Sequence, residues 1–336
     1  MGASTFSGYP DAMGKFIVRR LLWTVPTLLI VTFLVYVALR MGTDPVQSYL
    51  RINPRASKAK VAEYIALNGL DPNYVRGYLQ WLWNFITLDW PRSIKGSREV
   101  WPELQDALAN SARLGLVATV LGIVIGNLLG IFAALRPGGR RDVAVSTGAF
   151  VGISMPPYVT AVLLQLLFAV YWSKWFGRTL FPTSGVYPPG HFGFDLGLML
   201  KHLVLPSTVV AIQIVAVYAR YMRASLLEVL NSEFMRTARS KGISEGRVLI
   251  RHGLRNALIP VVTVSALDIG AIVGGLIITE NIFSYPGMGR YFLEAFAQGD
   301  FPLLMPWMVI VTLSVLLFNL VADILYAVLD PRIRLD

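Results

Sequence analysis

The chain has 336 residues, of which 55% are hydrophobic and 15% charged, and its formal net charge is +10. Several apolar runs are long enough to cross a bilayer, which is typical of an integral membrane protein. The basic excess does not indicate nucleic-acid binding, because membrane proteins carry surplus Lys and Arg at the cytoplasmic ends of their spans. The absence of cysteine excludes disulfides and thiolate chemistry.

The amino-terminal region is predicted to be a mobile tail (1–14) followed by a first transmembrane helix (15–40). Arg19 and Arg20 precede an apolar run from Leu21 to Leu39. A signal peptide shares the basic start, but it has a shorter apolar core and a cleavage site of small residues, which is missing here. The basic pair predicts that the amino end is cytoplasmic.

Residues 41–110 form the longest polar region, and we predict that they are an external loop region. The stretch Tyr78–Ile86 is too aromatic for a disordered linker. Two interpretations of this region remain open. Tyr78–Ile86 is either a helix lying at the membrane interface, where Trp and Tyr are enriched, or part of a small folded cap.

The second span is predicted over Leu114–Leu135. Gly122, Gly126 and Gly130 recur every four residues on one helix face, which allows a neighbouring backbone to approach closely. The basic turn at 136–141 that follows is predicted to be cytoplasmic.

The third span, Val145–Trp172, is interrupted by Met155, Pro156 and Pro157. A double proline removes backbone donors and breaks a helix. The break is either an irregular segment that lines a cavity or a kink packed between helices, and both interpretations remain open.

The fourth span, Leu203–Arg220, continues as a helix into a polar, basic insert at 232–255, which we call the elbow. An insert with this much charge lies in water at one membrane face. Ser232 and Ser244 are placed to begin two short helices. Gly242 is placed to end the first helix, and the second is predicted to stop before Pro260.

The elbow contains Arg-Thr-Ala-x-x-Lys-Gly followed by Arg-His-x-Leu-Arg-Asn. This pattern resembles the cytoplasmic coupling loop of permease subunits in bacterial ABC importers. The form is that of oligopeptide and dipeptide permeases and their nickel and glutathione relatives. Of the general family pattern, Glu-Ala-Ala, three residues, Gly, nine residues and Ile-x-Leu-Pro, only Ala238, Gly242 and Leu254 match.

The resemblance implies that this loop, taken as residues 226–258, docks in a groove of a separate ATPase subunit. The alternative is an ordinary basic cytoplasmic loop. The residues expected at the docking surface are Glu233, Arg236, Ala238, Arg239, Lys241, Gly242, His252, Leu254 and Arg255.

The fifth span is predicted over Ile259–Thr279, where Gly270-x-x-x-Gly-Gly offers a second close-packing face. The stretch Thr279–Arg290 is too polar to cross the membrane and is predicted to dip back against the outer face. Its Glu-x-x-Phe-x-x-Pro-Gly-Met-Gly run also resembles the peptide permeases. The sixth span, Leu303–Leu329, completes a permease core at 111–330 and leads into a cytoplasmic tail at 331–336.

Ionisable residues in or near the spans are few, and buried charge in lipid is costly, so each is a candidate for function. Asp268 and Glu280 either contact a solute or gate, or lock helices together by hydrogen bonds. Helix locking is the favoured interpretation for Asn319 and Asp323. The residues assigned to a pathway or gate are Met155, Pro156, Pro157, Asp268 and Glu280.

No catalytic constellation is present in the sequence. It lacks a P-loop and a His-Glu-x-x-His motif. Its three histidines, His191, His202 and His252, would have to meet across the membrane to form a metal site. We therefore expect no enzyme activity, no metal site and no cofactor in this chain, and the resemblance implies that ATP and Mg are bound by partner ATPase subunits.

The resemblance implies an all-α membrane protein of six transmembrane helices, with the type I ABC importer permease fold and a long external loop after the first helix. It implies a B-type permease subunit of an ATP-driven peptide importer in the bacterial cytoplasmic membrane, with both termini cytoplasmic. Expected partners are a second homologous permease, two ATPase subunits, an external solute-binding protein and membrane lipid, but no nucleic acid. The alternatives are a stand-alone secondary transporter or channel and, less well supported, an intramembrane enzyme.

Overall fold

The structure, a computed structural model, describes residues 9–96, 99–272 and 276–329, and all regular elements within these ranges are helices. In chain order the α-helices are α1 (Tyr9–Gly42), α2 (Pro45–Ile52), α3 (Lys58–Leu67), α4 (Tyr74–Ile86), α5 (Val100–Ala134), α6 (Arg140–Ser154), α7 (Pro157–Gln165), α8 (Trp172–Phe176), α9 (Leu196–Leu230), α10 (Glu233–Ser240), α11 (Glu245–Val248), α12 (Arg255–Ile272), α13 (Ile277–Ile282), α14 (Met288–Gln298) and α15 (Phe301–Leu329). Two π-helical turns, Leu166–Tyr171 and Leu249–Leu254, join α7 to α8 and α11 to α12.

Five helical segments of the described ranges are long and apolar enough to cross a membrane: α1 from Val18, α5, the run Pro157–Phe176, α9 and α15. They coincide with five of the six predicted spans. The remaining one, the fifth predicted span, coincides with α12, but α13 is a separate short helix, so the predicted end of that span at Thr279 is too late. Gly274 and Gly275, and the tail at 331–336, lie outside the described residues.

Two helices begin earlier than the sequence predicted. Residues 1–8 of the predicted tail lie outside the described part of the chain, and residues 9–14 already belong to α1. The helix α5 begins at Val100, inside the predicted external region. Leu104, Ala107 and Ser111 are buried at helical spacing, and this buried face extends the helix toward its amino end.

The glycine face of α5 packs directly against α9, as predicted. A Cβ added at Gly126 would lie 2.8 Å from the Cβ of Tyr218, and one added at Gly130 would lie 2.6 Å from the carbonyl oxygen of Ala219. Any larger side chain there would force the two longest helices apart.

The predicted break in the third span is confirmed. The helix α6 ends at Ser154, Met155 adopts an extended conformation, and α7 restarts at Pro157. The amide of Gln213 on α9 donates hydrogen bonds to the carbonyl oxygens of Gly152 (2.9 Å) and Met155 (3.0 Å). These bonds satisfy carbonyl groups that the end of α6 leaves without helical partners.

The predicted stop before Pro260 is wrong, because Pro260 lies inside α12. The chain runs helically from α11 through the π-helical turn into α12. Proline is tolerated in membrane helices because neighbouring groups and local changes of helix type satisfy the freed backbone.

The cap, which comprises α2, α3, α4 and the segment 87–96, is folded onto the bundle. Tyr78 and Trp81 of α4 are buried in one cluster with Tyr36 of α1 and Phe301 of α15. The opposite face of α4 leaves a stripe of apolar side chains exposed. They are Val75, Leu79, Trp83 and Ile86. The structure thus has the folded cap of the second interpretation, while the interfacial position of α4 remains a prediction.

Candidate docking site and passage

The elbow folds over a very small core of its own. Met235, Ala238 and Val248 are buried together, and Ile243 packs partly against them. Gly253 of the π-helical turn brings the backbone close to this core, since a Cβ added there would lie 3.4 Å from the terminal methyl carbon of Met235. The elbow is therefore an ordered protrusion of α9 and α12.

The predicted starts of α10 and α11 and the predicted end of α10 are confirmed, although the serines do not cap by their side chains. Ser232 and Ser244 occupy the N-cap positions of α10 and α11 in extended conformations. The hydroxyl of Ser232 donates instead to the carbonyl oxygen of Val229 at 2.5 Å. Gly242 follows Lys241, the C-cap residue of α10, with a φ of +71°, a left-handed conformation that favours glycine.

Two ion pairs lie on the elbow surface. The Arg236 guanidinium lies 3.0 Å from the Glu233 carboxylate, and Arg239 bridges α10 to α11 through Glu245 at 3.1 Å. Exposed pairs of this kind contribute little to stability. Since the elbow contains six Lys and Arg side chains against two Glu, its surface is basic and complementary to an acidic partner.

Two exposed apolar side chains on the elbow were missed by the sequence analysis. Phe234 is 45% exposed and Ile250 is 67% exposed. A local signal was available, because Phe234 and Met235 are adjacent apolar residues in a short and otherwise polar helix. Adjacent side chains point in different directions, so a core as small as this one buries only one of them. An aromatic side chain held in water by a charged helix is a typical anchor of an interface.

The predicted docking residues divide into exposed and internal groups. Glu233, Arg236, Arg239, Lys241 and Arg255 are exposed. Ala238 is only 7% exposed and belongs to the elbow core. Leu254 packs against a cluster with Leu226 and Ala257, and His252 is partly buried. Ala238 and Leu254 therefore shape the elbow and do not form its surface.

The break between α6 and α7 borders a cavity, which agrees with the interpretation of the double proline as an irregular segment that lines a cavity. A cavity of about 350 Å³ is lined by Pro157, by Val210 and Gln213 of α9, and by the segment Leu276–Thr279. Met155 and Pro156 are not among its lining residues. Irregular backbone at membrane depth is tolerated where it lines a cavity or is buried in protein.

Glu280 has the contacts of a helix lock. Its side chain is fully buried, and it accepts hydrogen bonds from the Ser111 hydroxyl (2.6 Å) and from the backbone N–H groups of Leu276 (3.1 Å), Gly289 (2.7 Å) and Arg290 (3.2 Å). Two of these donors lie in the first turn of α14, where a carboxylate is favoured by the helix dipole. Contact of Glu280 with a solute or gate remains a prediction.

The predictions for the other polar residues of the spans, Asp323, Asn319 and Asp268, differ in how they compare with the structure. Asp323 forms an ion pair with Arg20 of α1 at 3.0 Å, which confirms helix locking for Asp323. Asn319 makes no such contact among the described residues. Asp268 lies in α12, but its side chain is outside the described part of the structure.

Asp142 joins α6 to α9 at the elbow end of the bundle. The Arg223 guanidinium binds both carboxylate oxygens, at 2.5 and 2.8 Å, and the Gly138 N–H donates to the same group at 2.9 Å. The hydrogen bonds from Arg223 and then from Gly138 hold the pKa of the Asp142 carboxyl well below its usual range. Asp142 therefore stays ionised at neutral pH and holds Arg223.

A second cavity, of about 810 Å³, lies between α6 and α9 beside this pair. It is lined by Ser146, Phe150 and Ile153 of α6 and by Arg220, Tyr221 and Arg223 of α9. None of these residues was predicted from the sequence to line a pathway.

Comparison with known proteins gives consistent matches. The family model described as "binding-protein-dependent transport system inner membrane component" matches residues 126–335. The oligopeptide transport system permease protein AppB of Bacillus subtilis is 38% identical over 325 residues, covering 96% of this chain and 100% of the relative. The dipeptide transport system permease protein DppB of Escherichia coli K12 is 34% identical over 344 residues, covering 96% and 99%.

A solved structure agrees with the fold. It is titled as inward-facing conformations of the MetNI methionine ABC transporter, and it superposes with a TM-score of 0.52 at 17% identity, covering 68% of this chain and 96% of that chain. The likeness supports the type I permease fold.

Proposed function

The chain belongs to the family of binding-protein-dependent transport system inner membrane components, and on this premise we propose that it is a permease subunit of an ATP-driven importer of di- and oligopeptides. The observation that carries the proposal is the match, over nearly the whole chain, to relatives named for oligopeptide and dipeptide transport. The protein is a multi-pass component of the bacterial inner membrane.

The chain lies with both termini and the elbow in the cytoplasm and with the cap outside. The basic turn at 136–141 and the basic elbow support this orientation, because Lys and Arg accumulate in short cytoplasmic loops. A helical permease of this family assembles with a second homologous permease, two ATPase subunits and an external solute-binding protein. ATP and Mg are bound by the ATPase subunits, and this chain needs no cofactor of its own.

The elbow transmits the motion of the ATPases to the passage. Its surface offers Phe234 and Ile250 as apolar anchors among the exposed charges of Glu233 and Arg236. Because the elbow is continuous with α9 and α12, displacement of the elbow moves both helices. Nucleotide binding would thereby shift the bundle between inward and outward access.

The test is uptake of radiolabelled dialanine by the purified assembly in liposomes, with binding protein outside and ATP inside. The double variant Arg236→Glu with Arg239→Glu reverses two exposed charges of the elbow. It should abolish uptake and co-purification of the ATPase while membrane insertion stays normal. The matched control reverses two exposed charges of the cap, Arg55→Glu with Lys58→Glu, and should leave ATPase co-purification unchanged.

Full uptake in the elbow variant would refute the docking role. Uptake by this chain alone, driven by an ion gradient without ATPase, would instead establish the alternative of a stand-alone secondary transporter or channel.

A further inference from the structure

One face of α9 carries both cavities. Val210, Gln213, Val217, Arg220 and Ala224 recur at alternating spacings of three and four residues, so they lie along a single helix face. The first two line the smaller cavity, and the last three line the larger one, nearer the elbow.

The smaller cavity is where two interruptions of helix meet. Pro157 opens α7 on one side, and the segment Leu276–Thr279 at the start of α13 lies on the other. Broken helices at membrane depth are typical of the substrate route in transporters. One face of α9 runs from these breaks to the larger cavity. This face therefore lines the proposed translocation pathway.

Two arginines on this part of α9 differ in one respect. Arg223 is bound at both carboxylate oxygens of Asp142. Arg220 also lines the larger cavity, yet it makes no hydrogen bond or ion pair with any residue that the structure describes. Because Arg220 lines the cavity and pairs with no described residue, its guanidinium is available to an anionic ligand there.

The larger cavity has the size and lining of a small-molecule site. Its volume of about 810 Å³ lies within the usual range for ligand pockets, and Phe150, Ile153 and Val217 give it apolar walls. The planar guanidinium of Arg220 matches a carboxylate with two parallel hydrogen bonds. Every unmodified peptide carries one such carboxylate at its C-terminus, whatever its side chains, and it is ionised at neutral pH.

We propose that Arg220 binds the C-terminal carboxylate of a peptide in transit, in the cavity between α6 and α9. This inference rests on the proposed function. Asp142 cancels the charge of Arg223, so Arg220 is the unpaired cation of this cavity as far as the described residues go. A single cation attracts the carboxylate without holding it too tightly for release.

The experiment measures binding of radiolabelled dialanine to the purified, nucleotide-free assembly, without binding protein, in nanodiscs of phosphatidylcholine. Unlabelled dialanine and dialanine amide compete for the site. In the wild type, dialanine should compete at least ten times better than the amide. Arg220→Gln should reduce dialanine binding at least tenfold and remove this preference. Arg220→Lys, which keeps the charge but not the planar fork, should be intermediate.

The matched control is Arg178→Gln, an exposed arginine of the segment between α8 and α9 that lines neither cavity, and it should bind dialanine as the wild type does. The inference is overturned if Arg220→Gln keeps the wild-type preference for dialanine over dialanine amide. If Arg220→Gln does not assemble, an unchanged preference in Arg220→Lys overturns it. The inference is also overturned if Arg220→Gln loses co-purified phosphatidylglycerol but binds dialanine as the wild type does, because the cavity would then hold a lipid phosphate.

Failure of the proposed function has a different signature. If the wild-type assembly with binding protein and ATP takes up no dialanine in liposomes, the function falls and the inference falls with it. If uptake proceeds and only the dependence on Arg220 is missing, the function stands and the inference alone is refuted.

Discussion

The cap and the elbow are both helical extensions of the same bundle, and they differ in how many buried side chains hold each of them in place. The cap buries Tyr64, Tyr78 and Trp81 in a cluster shared with α1 and α15. It is also tied down by Asp300, which is fully buried and accepts a hydrogen bond from the Ser93 hydroxyl at 2.5 Å. The elbow has three buried side chains, and its exposed surface carries two ion pairs, Arg236 with Glu233 and Arg239 with Glu245.

This difference indicates different tasks. An extension whose aromatic core is shared with two bundle helices is held in shape by this chain itself, because burial of each aromatic side chain contributes about 1.5–3 kcal/mol. An extension with a minimal core and exposed apolar side chains is completed by a partner, and binding then stabilises it by mass action. We expect the cap to be rigid in the isolated chain and the elbow to depend on its docking partner.

The largest effect is expected in the cap, from Trp81→Ala. Trp81 is 3% exposed and lies against Phe85 and Tyr78, with ring centroids 5.3 and 6.1 Å away. Its removal should cost about 3–5 kcal/mol, measured as a lower thermal midpoint and faster proteolysis between residues 43 and 99. Trp83→Ala, on the 67% exposed neighbour in the same helix, is the control and should leave both unchanged. Equal losses in the two variants would contradict a buried core in the cap.

The next effect is expected in the elbow, from Met235→Ala. Met235 is fully buried, and its loss should cost about 2–5 kcal/mol within the elbow. Because the elbow core contacts the bundle mainly through the end of α9, at Val229 and Leu230, hydrogen exchange over residues 232–248 should quicken much more than exchange in the bundle. The global thermal midpoint should change little. Addition of the ATPase subunit should restore most of the protection. The neighbouring variant Phe234→Ala should leave exchange unchanged but weaken ATPase binding, and the reverse pattern would break the assignment of inner and outer faces.

Features that depend on neighbouring residues could be predicted from the sequence, and contacts between distant residues could not. Apolar runs, the Gly126–Gly130 face and the elbow boundaries depend on local spacing and local backbone preference, and these predictions agree with the structure. Pairings over long sequence separation were beyond reach. No local pattern distinguishes Arg223, which finds Asp142 on another helix, from Arg220, which does not.

The environments of Glu280 and of Tyr78–Ile86 could not be predicted for the same reason, because their contacts are distant in the chain. Glu280 was a candidate for the pathway because it is acidic near a span, and only the fold brings the first turn of α14 and Ser111 to its carboxylate. Whether Tyr78–Ile86 lies on a membrane or in a core depends on side chains of α1 and α15 that are distant in the chain.

The smallest effect is expected at the turn between α10 and α11, from Gly242→Ala. An added Cβ would meet nothing within 4 Å, so no clash arises, and the whole cost comes from the left-handed φ of +71°. That cost is about 1–2 kcal/mol for a residue with a Cβ. Gly246→Ala, four residues on inside α11, is an equally open site without a left-handed φ. There the substitution should stabilise the elbow by about 0.5–1 kcal/mol, since alanine is the better helix former. The two variants should therefore move hydrogen exchange over residues 232–248 in opposite directions. If both variants quicken the exchange, the elbow responds to added side-chain volume at these positions, and the left-handed backbone of Gly242 does not account for the difference.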